Sequence, residues 1–101
     1  MRIIKKLSEM IIDEAEGAHQ YAKKAVHFRE EDPDLASMFY MLANEELDHV
    51  NVLHNAVVKM IDKYKKEKGE PPEAMQAVYD YLHDQQIEEV AETRALLMEF
   101  K

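Results

Sequence analysis

Glu30-Glu-Asp-Pro-Asp34 interrupts an otherwise strongly helix-forming chain, and everything about the fold depends on how it is read. Asp32 suits a helix N-cap, Pro33 suits the first helical position, and Asp34 places a negative charge at the positive end of the helix dipole. A helix therefore starts at Pro33, and the one before it must turn back here. A second break, Gly69-Glu-Pro-Pro72, stops this helix after the basic cluster Lys63, Lys65, Lys66 and Lys68 and lets a third start at Glu73. The pattern predicts helices over residues 3–30, 33–67 and 73–100, forming a single all-α domain across residues 1–101.

Composition agrees and narrows the function classes. Charged residues make up 34% and hydrophobic ones 47%, with two glycines and three prolines, a balance that suits long helices and excludes disorder or a β-sandwich. With no cysteine there is neither a disulfide nor a thiolate metal site. The net charge of -8 repels nucleic-acid phosphates and anionic membranes and attracts cations, so neither nucleic acid nor membrane is an expected partner. Met1-Arg-Ile-Ile-Lys-Lys6 is followed by Ser8, Glu9 and Asp13 rather than an unbroken apolar run, so a cytoplasmic protein without a leader or membrane helix is expected. There is no glycine-rich phosphate loop, and Ser8 and Ser37 have no visible base, which excludes hydrolase and NTPase chemistry.

The first helix carries a stripe at Ile4, Leu7, Ile11, Glu14, Ala18, Tyr21, Ala25 and Phe28, in alternating steps of three and four. The second carries Leu35, Phe39, Leu42, Glu46, His49, Leu53, Ala56 and Met60 in the same rhythm. Folding the stripes together about the turn pairs Phe28 with Leu35, Tyr21 with Leu42, Ala18 with Glu46, Glu14 with His49 and Ile4 with Met60, and the numbers of each pair total 63 or 64. This register sets Glu14, Glu46 and His49 within about one helical turn, roughly 5 Å, of one another. It gives all three core positions and puts the small Ala18 opposite Glu46.

Two carboxylates on an apolar seam require a proton or a cation. A protonated His49 could pair with one of them and fix the helix register, but a single imidazolium cannot neutralise both, whereas a divalent cation can. The step Glu46-Leu-Asp-His49 aims a carboxylate and an imidazole at one point, and such oxygen and nitrogen donors suit iron, manganese or zinc. Three ligands are too few for a six-coordinate site, and a lone hairpin cannot bury its seam. Two paired chains would form a four-helix bundle with four glutamates and two histidines, the ligand set of di-iron and di-manganese carboxylate bundles. Other readings remain open at this point: a non-catalytic oligomerisation or interaction module with a buried Glu-His cluster, a manganese or zinc relative without redox turnover, and an oxygenase acting on an organic substrate.

Asp13-Glu-Ala-Glu-Gly-Ala-His-Gln-Tyr21, taken with Leu35-Ala-Ser-Met-Phe-Tyr-Met-Leu-Ala-Asn-Glu-Glu-Leu-Asp-His49, resembles the metal-binding half of rubrerythrins and ferritins. Over roughly residues 8–60 it is most similar to the short encapsulated-ferritin type. The resemblance implies a ferritin-like antiparallel helical hairpin plus a third C-terminal helix, with the four-helix bundle completed by dimerisation and a di-iron site at the subunit interface. It implies Glu14, Glu46 and His49 as metal ligands, Glu46 bridging the two metals, and Tyr21 supporting them with its hydroxyl. These four residues would carry a ferroxidase reaction, the oxidation of Fe2+ by oxygen or peroxide, in iron storage or detoxification. Ferrous iron, a homodimer or higher homo-oligomer, and an encapsulating protein capsid are the partners it implies. Two departures stand out: the third helix has no second Glu-x-x-His, and Phe100-Lys101 lacks the tail that addresses this type to a capsid. Gln85-Gln-Ile-Glu-Glu89 is similar to the Glu-Gln-x-Glu-Glu run of the last ferritin helix, with glutamine in place of its first acid.

His19, His27, His54 and His83 do not share the level and face of Glu14 and are expected at solvated or edge positions. Glu16 and Glu45 flank the seam, as ordinary solvated face or as an access path for cations. Met38, Met60 and Met75 are expected to fill the core. The third helix has one stripe through Met75, Val78, Leu82, Glu89, Leu96 and Phe100 and another through Tyr79, Ile87, Val90 and Leu97, which predicts contacts on two sides, one of them with a neighbouring subunit.

Overall fold

A computed structural model describes residues 2–100 and, among them, contains three helices and no strand: α1 (Arg2–Phe28), α2 (Pro33–Lys68) and α3 (Glu73–Phe100). The caps are those the sequence dictates. Asp32 Oδ1 accepts the Leu35 N–H at 3.2 Å, Pro33 opens α2, and Gly69 closes it at φ 81°, donating its N–H to the Lys65 carbonyl at 2.9 Å. Only a residue without a Cβ adopts that φ without strain. The first helix stops short of residue 30: the Arg29 N–H bonds to the Val26 carbonyl at 3.4 Å, one residue short of the helical step, and residues 29–31 form the turn, which the Asp32 N–H closes on the Phe28 carbonyl at 2.9 Å. In α3, the Pro72 carbonyl receives the N–H groups of Met75 and Gln76, each at 3.0 Å.

The molecule is a rod of 55 × 18 × 17 Å. Its length is that of α2, whose 36 residues at about 1.5 Å each span about 54 Å. α1 and α2 lie antiparallel. α3 returns alongside α1 and parallel to it: Ile4 and Ser8 meet Met75 and Tyr79 at one end, and at the other Arg29 Nη1 donates to the Glu99 carbonyl at 2.8 Å. α2 reaches α3 through rings, with His54 stacked on His83 at 5.6 Å and Tyr40 on Phe100 at 4.7 Å.

The core lies one residue round from the stripes the sequence pattern selects. Buried on α1 are Ile4, Ser8, Ile11, Ala15, Ala18, His19, Ala22 and Ala25, and on α2 Ala36, Ala43, Leu47, Val50 and Val57. Leu7, Glu14, Tyr21, Leu42, Glu46 and Leu53 are half-buried, and His49 is exposed. The stripe reading supposes a two-helix seam, but α1 must bury an arc that faces both α2 and α3, and this moves the centre of the arc toward α3. α2 rotates to match, because Ala43 and Leu47 pack with Ala18, Ala22 and Leu97. Fully buried alanines let the helices approach closely, where larger side chains would hold them apart.

The face turned away from α3 is left uncovered, with Met10, Met38 and Val52 exposed beside the half-buried stripe. Most apolar residues of both expected α3 stripes are at least half-buried, Met75, Leu82, Leu96 and Phe100 in one and Tyr79, Val90 and Leu97 in the other, whereas Val78, Tyr81, Ile87 and Met98 are exposed. No helix among the described residues is long and apolar enough to cross a membrane.

Candidate metal centre

Glu14 on α1 meets Glu46 and His49 on α2 near the middle of the rod. His49 Nδ1 lies 3.4 Å from Glu14 Oε2 and 3.5 Å from Glu46 Oε1, and one donor atom from each residue falls within 4.8 Å of the others. The sequence register places them at this level correctly. Burial differs from expectation: the side chains of Glu46, Glu14 and His49 are 24%, 32% and 57% exposed, so they line an open rim in place of the core positions assigned to them. The rotated seam is the reason. Two donors about 2.1 Å from one ion and separated by a right or tetrahedral angle lie about 3.0–3.4 Å apart, so the spacing fits donors to a shared divalent ion.

Close approach drives the ionisation of Glu14 and Glu46 apart. The hydrogen bond with Glu14 pushes the Glu46 carboxyl above its ordinary range, with burial and the Glu14 charge adding to the effect. The same bond, donated by Glu46, holds Glu14 below its ordinary range, with the neighbouring His49 helping and burial opposing. This is the behaviour of two like charges that cannot both ionise freely at close range. A divalent cation would compensate both carboxylates.

Room for Glu46 comes from Gly17, where an added Cβ would lie 3.2 Å from Glu46 Oε2. Ala18, the expected neighbour of Glu46, is instead fully buried with Ala43, Leu47 and Leu97. Rotation of the seam passes the place beneath Glu46 from 18 to 17. Gly17 lies inside α1 without a positive φ, so it is needed for space and not for backbone conformation. Glycine costs a helix interior about 0.8–1.0 kcal/mol relative to alanine. Gly17→Ala is therefore expected to stabilise the metal-free chain by up to about 1 kcal/mol in a denaturant titration. It should also weaken divalent-metal binding measured by calorimetry, because the Glu46 carboxylate must shift. Unchanged metal affinity in this variant would show that the space beneath Glu46 is not needed.

Tyr21 lies on the same face, two turns and about 10 Å along the axis from Glu14. Its ring stacks on Phe39 at 6.1 Å, and Phe39 stacks in turn on Phe28 at 6.1 Å, forming an aromatic row toward the helix turn. Glu16 and Glu45 are exposed. His27 is exposed and meets Phe28 edge-on at 4.7 Å, while His54 and His83 stack on each other; none of the three joins Glu14.

His19 departs from the expected solvated or edge position. It is 8% exposed, with Nδ1 3.2 Å from Glu89 Oε1 and 3.7 Å from Glu92 Oε2. Five residues rotate a helix by about 140°, so His19 faces α3 while Glu14 faces away from it. Glu89 accordingly joins His19 and not the Glu14 cluster. The sequence does contain a signal for this arrangement: the small residues Ser8, Ala15 and Ala22 mark a second packed stripe on α1, and Glu89-Val-Ala-Glu92 is an i,i+3 acidic step. Comparison with protein-family models, curated proteins and solved structures finds no match to this chain.

Proposed function

We propose that this chain is a ferritin-like half-bundle that binds and oxidises ferrous iron. Two copies pair through the face turned away from α3 and join their Glu14, Glu46 and His49 sets into one di-iron site. The supporting observation is that three donors from two helices converge within 4.8 Å on a face that is otherwise largely apolar and uncovered. A second copy seated there would cover Met10, Leu42, Val52 and Leu53 and double the ligand set to four carboxylates and two imidazoles.

The residues fit iron. Carboxylate oxygens favour the ferric product, imidazole suits iron in either state, and Gly17 leaves Glu46 the freedom to bridge two ions. Each ferrous ion would lose one electron to oxygen or peroxide. Tyr21 and Phe39 would close one end of the site to water, and the net charge of -8 would concentrate cations around it. Iron storage or detoxification is the role that follows.

The test is anaerobic loading with ferrous iron, followed by metal analysis and native mass measurement. The wild type is expected as a dimer or a multiple of one, and His49→Ala is expected to lose about one iron per chain relative to it. If His49→Ala retains all the wild-type iron, or the wild type binds none, the cluster is a metal-free polar device in an interaction module. Binding of manganese or zinc at this site without iron oxidation would identify the non-redox relative.

A further inference from the structure

We infer that His19, Glu89 and Glu92 form a second metal site, for a divalent transition ion of the zinc kind, which ties α3 to α1. This is separate from the Glu14 cluster and does not depend on the function proposed for it. One donor atom from each of the three residues lies within 4.8 Å of the others. Glu89 and Glu92 stand one turn apart on α3, and His19 reaches them from α1.

The decisive feature is the imidazole. His19 Nδ1 is buried and makes no hydrogen bond, although Glu89 Oε1 is only 3.2 Å away. That distance suits a hydrogen bond, but the carboxylate lies off the N–H direction. Two ligands of one ion have this relation, since the nitrogen lone pair points at the ion between them and not at the neighbouring oxygen. Ligands about 2.1 Å from a shared centre are separated by about 3.0–3.4 Å at right or tetrahedral angles, and by more as the angle opens. The distances of 3.2 and 3.7 Å fit that geometry.

Solvent reaches the two carboxylates, 30% exposed on Glu89 and 54% on Glu92, whereas Nδ1 of His19 is buried beside them. The Glu89 backbone is already engaged, its carbonyl accepting the Thr93 hydroxyl at 2.9 Å, which fixes the turn that carries the carboxylate. One nitrogen and two carboxylate oxygens suit zinc and its first-row neighbours, whereas calcium and magnesium take oxygen ligands. The position also gives the ion a task. α3 buries only Thr93 and Leu97 among its described residues, against eight residues buried on α1, so its docking has few anchors. A metal joining His19 to Glu89 and Glu92 would be a further one.

The test uses zinc ion as the probe and full-length chain carrying Glu46→Ala and His49→Ala, which removes the other cluster and keeps the two proposals distinguishable. Calorimetric titration is expected to show about one zinc per chain. At roughly 100 times Kd, Tm should rise by on the order of 10 °C, and a chelator should reverse the rise. Adding Glu92→Gln, at an exposed position where folding is not at risk, should weaken binding by about tenfold or more, and Glu89→Gln should do the same. His19→Gln should abolish binding while its own melt reports whether the chain still folds. The inference is overturned if the double variant binds no zinc, if Glu92→Gln and Glu89→Gln leave the affinity unchanged, or if zinc binds without moving Tm.

Discussion

Glu46→Ala is expected to slow ferrous iron oxidation by more than about 100-fold, since loss of a group that merely supports a metal ligand already costs about 10–100-fold. The same change should leave the metal-free chain no less stable at neutral pH. The structure sets these effects against each other because contact with Glu14 raises the Glu46 carboxyl above its ordinary range. A group raised in the folded state stabilises it fully below the unfolded pKa, and that contribution is lost as pH rises through the folded value. Above that raised value Glu46 adds nothing to stability. Glu14, lowered in the folded state, works the other way: its contribution is present above the unfolded pKa and fades as pH falls through the folded one. The ion competes with the Glu46 proton, so iron binding by the wild type should weaken as pH falls through the raised Glu46 value. Initial oxidation rates followed by ferric absorbance, together with thermal melts across the acid range, would check both halves. An oxidation rate within a few-fold of wild type would remove Glu46 from the chemistry.

The second large effect concerns where the core lies. Ile11→Ala is expected to cost about 2–5 kcal/mol, the range for truncating a fully buried large aliphatic side chain. Ile11 is buried with Ile4, Ala15, Val50 and Val57, so the cavity would open between two helices. Leu7→Ala, at a half-buried position, should cost about 1 kcal/mol or less in the separated chain, in proportion to the smaller apolar area it covers. Against a total stability on the order of 5–15 kcal/mol, the first loss is severe and the second slight. Urea unfolding at low protein concentration, with unchanged slope, separates the two. Equal losses would place the core on the stripe read from the sequence. At high concentration Leu7→Ala should lose more if two copies cover that face, because Leu7 then becomes an interface residue.

The position of the site along the helices was readable in the sequence because it depends on local features alone. Asp32, Pro33 and Gly69 fix where the chain turns, and the helical rise then sets Glu14 level with His49 whatever else packs nearby. The Glu46-Leu-Asp-His49 spacing follows from the helical period in the same way. Rotation about each helix axis is a different matter. Ile11, Ala18 and Ala25 fit either the stripe of the sequence reading or the observed core, and only the arrival of α3 on α1 chooses between Leu7, Glu14 and Tyr21 on one side and Ser8, Ala15 and Ala22 on the other.

His19 shows the same limit. Ser8, Ala15 and Ala22 mark its side of α1 as one that packs, but that Glu89 and Glu92, some seventy positions away, are what it meets depends on how α3 docks. The sequence by itself determined three helices, the two breaks between them, and the axial level at which Glu14, Glu46 and His49 meet, because caps, breakers and helical rise act over a few residues. Only the tertiary structure decided that these three line an open face, that Gly17 makes room for Glu46, and that His19 is buried against Glu89 and Glu92. The physical reason is that a helix buries whichever arc its neighbours cover, and how many neighbours it has is a property of the assembled fold.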